Sequence, residues 1–255
     1  MIVGIDLGTT NSLIAVWENG KARLIPNSVG ELLTPSCVSI DDDGSILVGR
    51  AARERLQTHP RASAANFKRM MGSDTTVTLG KRAFRPEELS AMVLRSLKED
   101  AEAALGQTIL EAIITVPAYF SDAQRKATRA AGQLAGLRVE RLLNEPTAAA
   151  LAYGIHQRDS ETKFLVFDLG GGTFDVSVLD LFENVMEVRA SAGDNYLGGE
   201  DFVTVLVERF FEAAKVAPAL KADAHFMQRL HAQVEAAKRA LSESPHATIR
   251  VGDGN

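Results

Sequence analysis

The chain has 255 residues, is 45% hydrophobic and 24% charged, and carries a formal net charge of −5. That is the composition of an ordinary globular protein, with length for one large domain or two lobes. There is no long Lys/Arg run to attract nucleic acid or an anionic membrane, and no uninterrupted apolar run of transmembrane length.

Met1 leads directly into an apolar strand, Val3 to Ile5, with no basic leader or cleavage site, which argues against a signal peptide. Asp6-Leu7-Gly8-Thr9-Thr10 follows, and then a second strand from Ser12 to Trp17. Residues 1–40 read as a β-meander, with a turn at Glu18-Asn19-Gly20 and strands around Arg23 to Ile25 and Ser36 to Ile40. Cys37 is the only cysteine, which excludes an internal disulfide and suits a reducing cytoplasm. Asp41-Asp42-Asp43-Gly44 lacks the later ligands of a calcium loop and is assigned to a hairpin tip. The histidines, His59, His156, His225, His231 and His246, show no metal spacing.

Gly49 to Arg55 reads as a short helix, and Ala64 to Met71 as a second short apolar-basic piece containing Lys68. Pro86 to Leu105 is an amphipathic helix: Pro86 and the acids Glu87 and Glu88 open it, and Gly106 closes it. Leu89, Met92, Val93 and Leu97 form its core stripe. Ala112 to Val116 is a buried strand, after which Ser121 and Gln124 make a capping box for a helix to about Gly136. Pro117 and Arg125 lie at that joint, where the plain reading is a strand terminator and a solvated helix residue. Arg138 to Leu143 is another strand, and Asn144-Glu145-Pro146-Thr147 starts a helix ending at Gly154. Glu145 there suits the helix dipole, and its loop position points it toward a cleft.

Lys163 to Asp180 is a strand, Phe164 to Phe167, followed by Asp168, the glycines Gly170, Gly171 and Gly172, and Thr173. A second strand then puts Phe174, Val176 and Val178 on one face and Asp175, Ser177 and Leu179 on the other. Three glycines exceed the needs of a turn, and backbone N–H groups without Cβ neighbours can close on an anion. Asp-Leu-Gly recurs from Asp6 to Asp168, an offset of 162 residues (168 − 6), each time between two strands. A repeated hairpin suggests a duplicated α/β unit with two phosphate loops facing across a cleft, and an acid at each loop suits a hydrated Mg²⁺. No Walker string or G-x-G-x-x-G opens a helix here, which excludes the two commonest nucleotide folds.

Gly193 to Glu200 reads as a loop carrying Gly198 and Gly199, with a helix from Asp201 to about Ala214 whose N-terminus suits an anion. A last helix, about Ala224 to Ser242, has the core stripe Phe226, Leu230, Val234, Ala237 and Leu241. Glu235, Lys238, Arg239 and Ser242 share an adjacent face, ordinarily a solvated one. Val251 to Asn255 reads as a strand and turn without a return strand.

Five strings resemble the actin-like ATPase superfamily, and within it the seventy-kilodalton heat-shock chaperones of the DnaK type. They are Ile5 to Ser12, Phe167 to Ser177, Val116 to Arg125, Asn144 to Gly154 and Gly193 to Phe202. The wording between them is most similar to the HscC branch. The resemblance implies an α/β fold of the actin-like, ribonuclease H-like kind. Residues 1–162 would be lobe I, with 41–111 as its peripheral subdomain, and 163–255 the start of lobe II. The second copy has only 93 residues (255 − 162), so the expectation is a truncated nucleotide-binding domain.

The implied activity is slow hydrolysis of ATP to ADP and phosphate in a cytoplasmic protein-folding chaperone, with Mg²⁺ and an assisting K⁺. Gly8, Thr9, Thr10, Asn11, Gly170, Gly171, Gly172 and Thr173 would cradle phosphates, and Asp6 and Asp168 would hold Mg²⁺ through water. Lys68, Glu145, Asp168, Thr173 and Asp175 would serve the chemistry. Gly198, Gly199, Glu200, Glu235, Lys238, Arg239 and Ser242 would hold the rest of the nucleotide. Pro117 and Arg125 would couple nucleotide state to a substrate domain, and Arg141, Asn144 and Thr147 would meet a J-domain cochaperone. A nucleotide-exchange factor and unfolded clients, the latter through a domain outside this sequence, complete the implied partners; the chain itself is expected to be a monomer. The alternatives are a small-molecule kinase of the same superfold, a filament-forming protein, and a binding module left inactive by truncation.

Overall fold

A computed structural model describes residues 1–153, 162–182, 185–214 and 216–252. The chain opens with β1 (Ile2–Asp6), β2 (Asn11–Glu18) and β3 (Lys21–Leu24), an antiparallel meander. The short strands β4 (Thr34–Pro35), β5 (Val38–Ile40) and β6 (Ile46–Val48) precede α1 (Arg50–Thr58). Then come β7 (Ser63–Ala64), a 3₁₀ turn at Phe67–Met70, the hairpin β8 (Val77–Leu79) and β9 (Arg82–Phe84), and α2 (Pro86–Leu105). The first half ends with β10 (Glu111–Val116), α3 (Asp122–Leu134), β11 (Arg138–Asn144) and α4 (Glu145–Ala152). The second half holds β12 (Thr162–Leu169), β13 (Phe174–Phe182), β14 (Val185–Asp194), α5 (Gly199–Ala214) and α6 (Ala224–Ala240).

The main sheet runs β11-β10-β1-β2-β3, with β4 also on β2; β10 pairs parallel with both β1 and β11. One face of it carries Val3, Ile5, Ile14, Val16 and Ile114 and is buried in one cluster with Leu89, Val93, Leu94 and Leu97 of α2. Burying each such side chain fully contributes about 1.5–3 kcal/mol. The α2 limits follow from Pro86 in its first turn and from Gly106, which caps the end at φ 66, a backbone angle that only glycine takes readily. Ser121 and Gln124 form the expected reciprocal cap on α3.

The meander recurs as β12-β13-β14, with Asp168 opposite Asp175 in the antiparallel register. Along β13 the buried face is the one with Asp175, Ser177, Leu179 and Leu181, and the Phe174, Val176 and Val178 face is only half-buried. A second core, of Val203, Val207, Phe211, Phe226, Leu230 and Val234, glues α5 to α6.

Several elements differ from the sequence expectation. Ser36 and Cys37 interrupt the strand expected from Ser36 to Ile40, because Ser36 turns to the first glycine loop: its N–H donates to the Thr10 carbonyl at 2.9 Å and its Oγ to the Gly8 carbonyl at 2.7 Å. β14 occupies Val185–Asp194, so Gly193 is a strand residue rather than a loop one, and α5 begins at Gly199, two residues early. α6 stops at Ala240, which leaves Leu241 as an exposed cap instead of a core residue. Residues 245–252 form no strand; Ile249 and Val251 instead pack on the α5–α6 core. The expected helix end at Gly154 and the turn at 253–255 lie outside the described residues.

Candidate functional site

The two glycine loops meet. Each is the turn of a hairpin, β1–β2 and β12–β13, and the chain brings their tips into contact. A Cβ at Gly171 would overlap the Thr10 hydroxyl, and one at Gly172 would lie 2.6 Å from the Thr9 methyl. Gly198 presses on the same place: its Cβ would sit 2.6 Å from the Gly171 carbonyl and the Gly172 nitrogen. Only glycine backbones approach this closely. The Gly199 N–H donates to the Gly170 carbonyl at 3.0 Å and the Glu200 N–H to the Gly171 carbonyl at 2.9 Å, so the start of α5 is sewn onto the second loop. Within that loop the Gly170 N–H donates to the Thr173 carbonyl. Thr9 and Thr173 are buried, and Gly8, Thr10 and Asn11 half-buried.

Carboxylates gather at the same junction. Asp6, at the end of β1, accepts a hydrogen bond from the Thr115 hydroxyl at 2.7 Å. Asp168 stands one residue before the end of β12, and withdrawal from water, aided by the Asp6 charge and opposed by Lys68, raises its pKa. Asp175 is buried and accepts the Tyr119 N–H at 3.0 Å; its pKa is raised, chiefly by burial. Glu145, the first residue of α4, is raised by burial and by the charges of Asp6 and Asp168, against the pull of Lys68.

Lys68 supplies the opposing charge. The 3₁₀ turn of Phe67–Met70 buries it, and its ammonium sits 2.9 Å from the Glu145 carboxylate and 5.5 Å from the centre of the Phe120 ring. Burying a charge is costly unless it is paired, and Glu145 is the partner here. Four acids and one lysine leave an excess of negative charge that a cation would relieve. Among the described residues no group of three or more His, Cys, Asp or Glu could hold a bare metal ion.

Beside this junction a cavity of about 620 Å³ opens between the first half and the α5–α6 pair. Thr9, Thr10, Arg69, Glu200, Glu235 and Arg239 are among its walls. Glu235 pairs with Lys238 at 2.6 Å and Arg239 at 2.7 Å. Burial alone would raise its pKa, but the hydrogen bonds from these two cations hold it below the usual carboxylate range. Lys238 also donates to the Gly199 carbonyl at 3.0 Å, which ties α6 to the α5 start. Ser242 lies apart, exposed in the turn after α6. Cys37 is buried in the cavity wall, and burial pushes its thiol up to about 12.

The joint between β10 and α3 is braced by Arg125, which donates to the Asn144 side chain at 2.9 Å and to the carbonyls of Ala118 at 3.0 Å and Phe120 at 3.1 Å. Pro117 is buried there. Arg141 is exposed on β11, and Asn144 and Thr147 are half-buried nearby. Arg69 and Asp201 were not among the residues singled out from the sequence, yet they join the two halves: the Arg69 guanidinium reaches Asp201 at 2.7 Å. The only local signal was Arg69 standing next to Lys68.

Compared with known proteins, the chain matches a family model described as Hsp70 protein over residues 2–79 and 73–252.

Proposed function

The chain belongs to the Hsp70 family, and from that premise we propose that it is the ATP-binding and slowly ATP-hydrolysing part of a cytoplasmic protein-folding chaperone. Members of this family are ATPases that bind ATP and ADP with Mg²⁺ and work with J-domain cochaperones, exchange factors and protein clients, and the mixed α/β architecture is consistent with an actin-like ATPase fold. The observation that carries the reading is the direct contact of the two aspartate-led glycine loops beside the buried Lys68–Glu145 pair. In this reading residues 1–162 form lobe I, with 41–111 as its peripheral part, and 163–255 begin lobe II.

The residues fit the nucleotide. Backbone amides of Gly8 to Asn11 and of Gly171 to Thr173 would bind phosphate oxygens, while the Gly170 amide closes its own loop on the Thr173 carbonyl. Asp6 and Asp168 would hold Mg²⁺ through its waters; the bound ion would neutralise phosphate charge. Transfer of a phosphoryl group to water asks mainly for positioning and charge stabilisation. Lys68 would stabilise charge developing on the γ-phosphoryl group. Glu145 and Asp175, both of raised pKa, would orient the attacking water and accept its proton. Gly198, Gly199 and Glu200, with Glu235, Lys238 and Arg239, would line the route to the adenosine, and K⁺ would assist. Pro117 and Arg125 would relay nucleotide state, and Arg141, Asn144 and Thr147 would form the cochaperone face.

Single-turnover hydrolysis of Mg²⁺–ATP by the chain tests this. Phosphate should appear in water at a rate that added glycerol or hexose leaves unchanged. Transfer to an added alcohol would point instead to a small-molecule kinase, and bound but intact ATP to a non-catalytic module.

A further inference from the structure

We propose that Arg69 is a positioning residue: through Asp201 it ties the segment that carries Lys68 to the second glycine loop, so that cation and loop keep a fixed relation. This rests on the nucleotide-site reading above. Lys68 and Arg69 are consecutive on one 3₁₀ turn but serve opposite halves of the chain. Lys68 turns to Glu145 in the first half. Arg69 crosses to the second, where one terminal nitrogen donates to both Asp201 oxygens at 2.7 and 3.0 Å and to the Tyr196 carbonyl.

Asp201 passes that hold on. Its carboxylate also accepts the Gly198 N–H at 2.7 Å, and its own N–H donates to the Gly198 carbonyl at 3.0 Å, which closes the turn at the start of α5. The next two amides, Gly199 and Glu200, bond to the carbonyls of Gly170 and Gly171. Three hydrogen-bonded steps therefore lead from the guanidinium through Asp201 and the Gly198 turn to the glycine loop. Packing adds a direct one, since a Cβ at Gly172 would lie 3.0 Å from the Arg69 Cγ. The pair is mostly withdrawn from water, at 19% and 34% side-chain exposure, so its attraction is less screened than that of a surface ion pair. The carboxylate also stands in the first turn of a helix, where the dipole favours it. Arg69 lies in the wall of the cavity with Thr9 and Thr10, so the clasp spans the place where the loops must grip a nucleotide.

A double-mutant cycle with Arg69→Gln, Asp201→Asn and both together tests the clasp. Amide hydrogen exchange of the nucleotide-free chain and dissociation of fluorescently labelled ADP in Mg²⁺ are the readouts, with single-turnover hydrolysis beside them. Each single variant should speed exchange at Gly199 and Glu200 and raise the ADP dissociation rate about tenfold. The double variant should be no worse than either, because both changes break one link, and Arg69→Lys should restore part of the effect. Additive effects would overturn the proposal. So would a lowered melting temperature with unchanged exchange, dissociation and turnover, which is the mark of a staple with no positioning role. A wild-type chain that binds no nucleotide would remove the site reading and the positioning role with it, while the exchange data would still show whether the Arg69–Asp201 link exists.

Discussion

The Lys68 ammonium lies 2.9 Å from the Glu145 carboxylate, across 77 residues of sequence, with side-chain exposures of only 5% and 17%. Removing one partner from such a pair strands the other, which typically costs about 3–5 kcal/mol. Lys68→Ala should therefore melt lower than the wild type, and adding Glu145→Gln should restore most of the loss. In the same variant single-turnover hydrolysis should fall at least about 100-fold, the usual effect of deleting a group that stabilises transition-state charge. Affinity for Mg²⁺–ATP should stay within a few-fold. Weakened binding with an unchanged hydrolysis rate would contradict the role given to Lys68.

Acids at the junction repel one another, and this has a pH signature. The pKa of Asp168 is raised, first by burial and then by Asp6. A carboxyl whose folded pKa exceeds its unfolded one contributes stability that is complete below the unfolded pKa and is lost as pH rises through the folded pKa. Asp168→Asn removes that loss. In the absence of Mg²⁺ and nucleotide it should melt higher than the wild type at pH 7.5, by about 2–4 °C for each kcal/mol recovered. The advantage should vanish toward about pH 4, where an ordinary aspartate takes up its proton. Melting curves across that range decide it; an Asn variant less stable at pH 7.5 would show that Asp168 is held by attraction instead.

Close backbone contact makes a contrasting pair of glycine variants. Gly198→Ala puts a methyl 2.6 Å from the backbone of Gly171 and Gly172, so the second loop must shift. At Gly170 the nearest atom to an added Cβ is the Thr173 carbonyl oxygen at 3.5 Å, an ordinary contact. Gly198→Ala should weaken nucleotide binding by tenfold or more and Gly170→Ala by less than threefold, read by fluorescence titration. Equal effects would mean that the loop contact does not shape the site.

Arg125 should matter to turnover through Asp175. It holds the carbonyls of Ala118 and Phe120, on either side of Tyr119, whose N–H bonds to Asp175. Arg125→Ala should lower the single-turnover rate about tenfold and leave ADP affinity unchanged. An unaltered rate would uncouple the α3 joint from the site.

Much of this could be read from the sequence where local chemistry decides local structure. Pro86 and Gly106 marked both ends of α2, and Ser121 with Gln124 marked the start of α3. The repeated Asp-Leu-Gly gave both hairpins, because each is closed by its own turn. β14 leaves little trace in the sequence: its Glu187, Ala190 and Ala192 are poor strand formers, and pairing with β13 makes the strand. The sequence overstates the length of α6, because Leu241 continues the apolar spacing although the helix has already stopped. The Arg69–Asp201 pair spans 132 residues and leaves no pattern in either segment. Long-range closure of this kind depends on how two halves meet, which periodicity does not encode.

Calorimetric titration of the chain with Mg²⁺–ATP, with Asp168→Ala as control, tests the central claim most directly. The account predicts one binding event in the wild type that is lost or much weakened in the variant. Equal binding by both chains would contradict it, since the nucleotide would then lie away from the two aspartate-led loops.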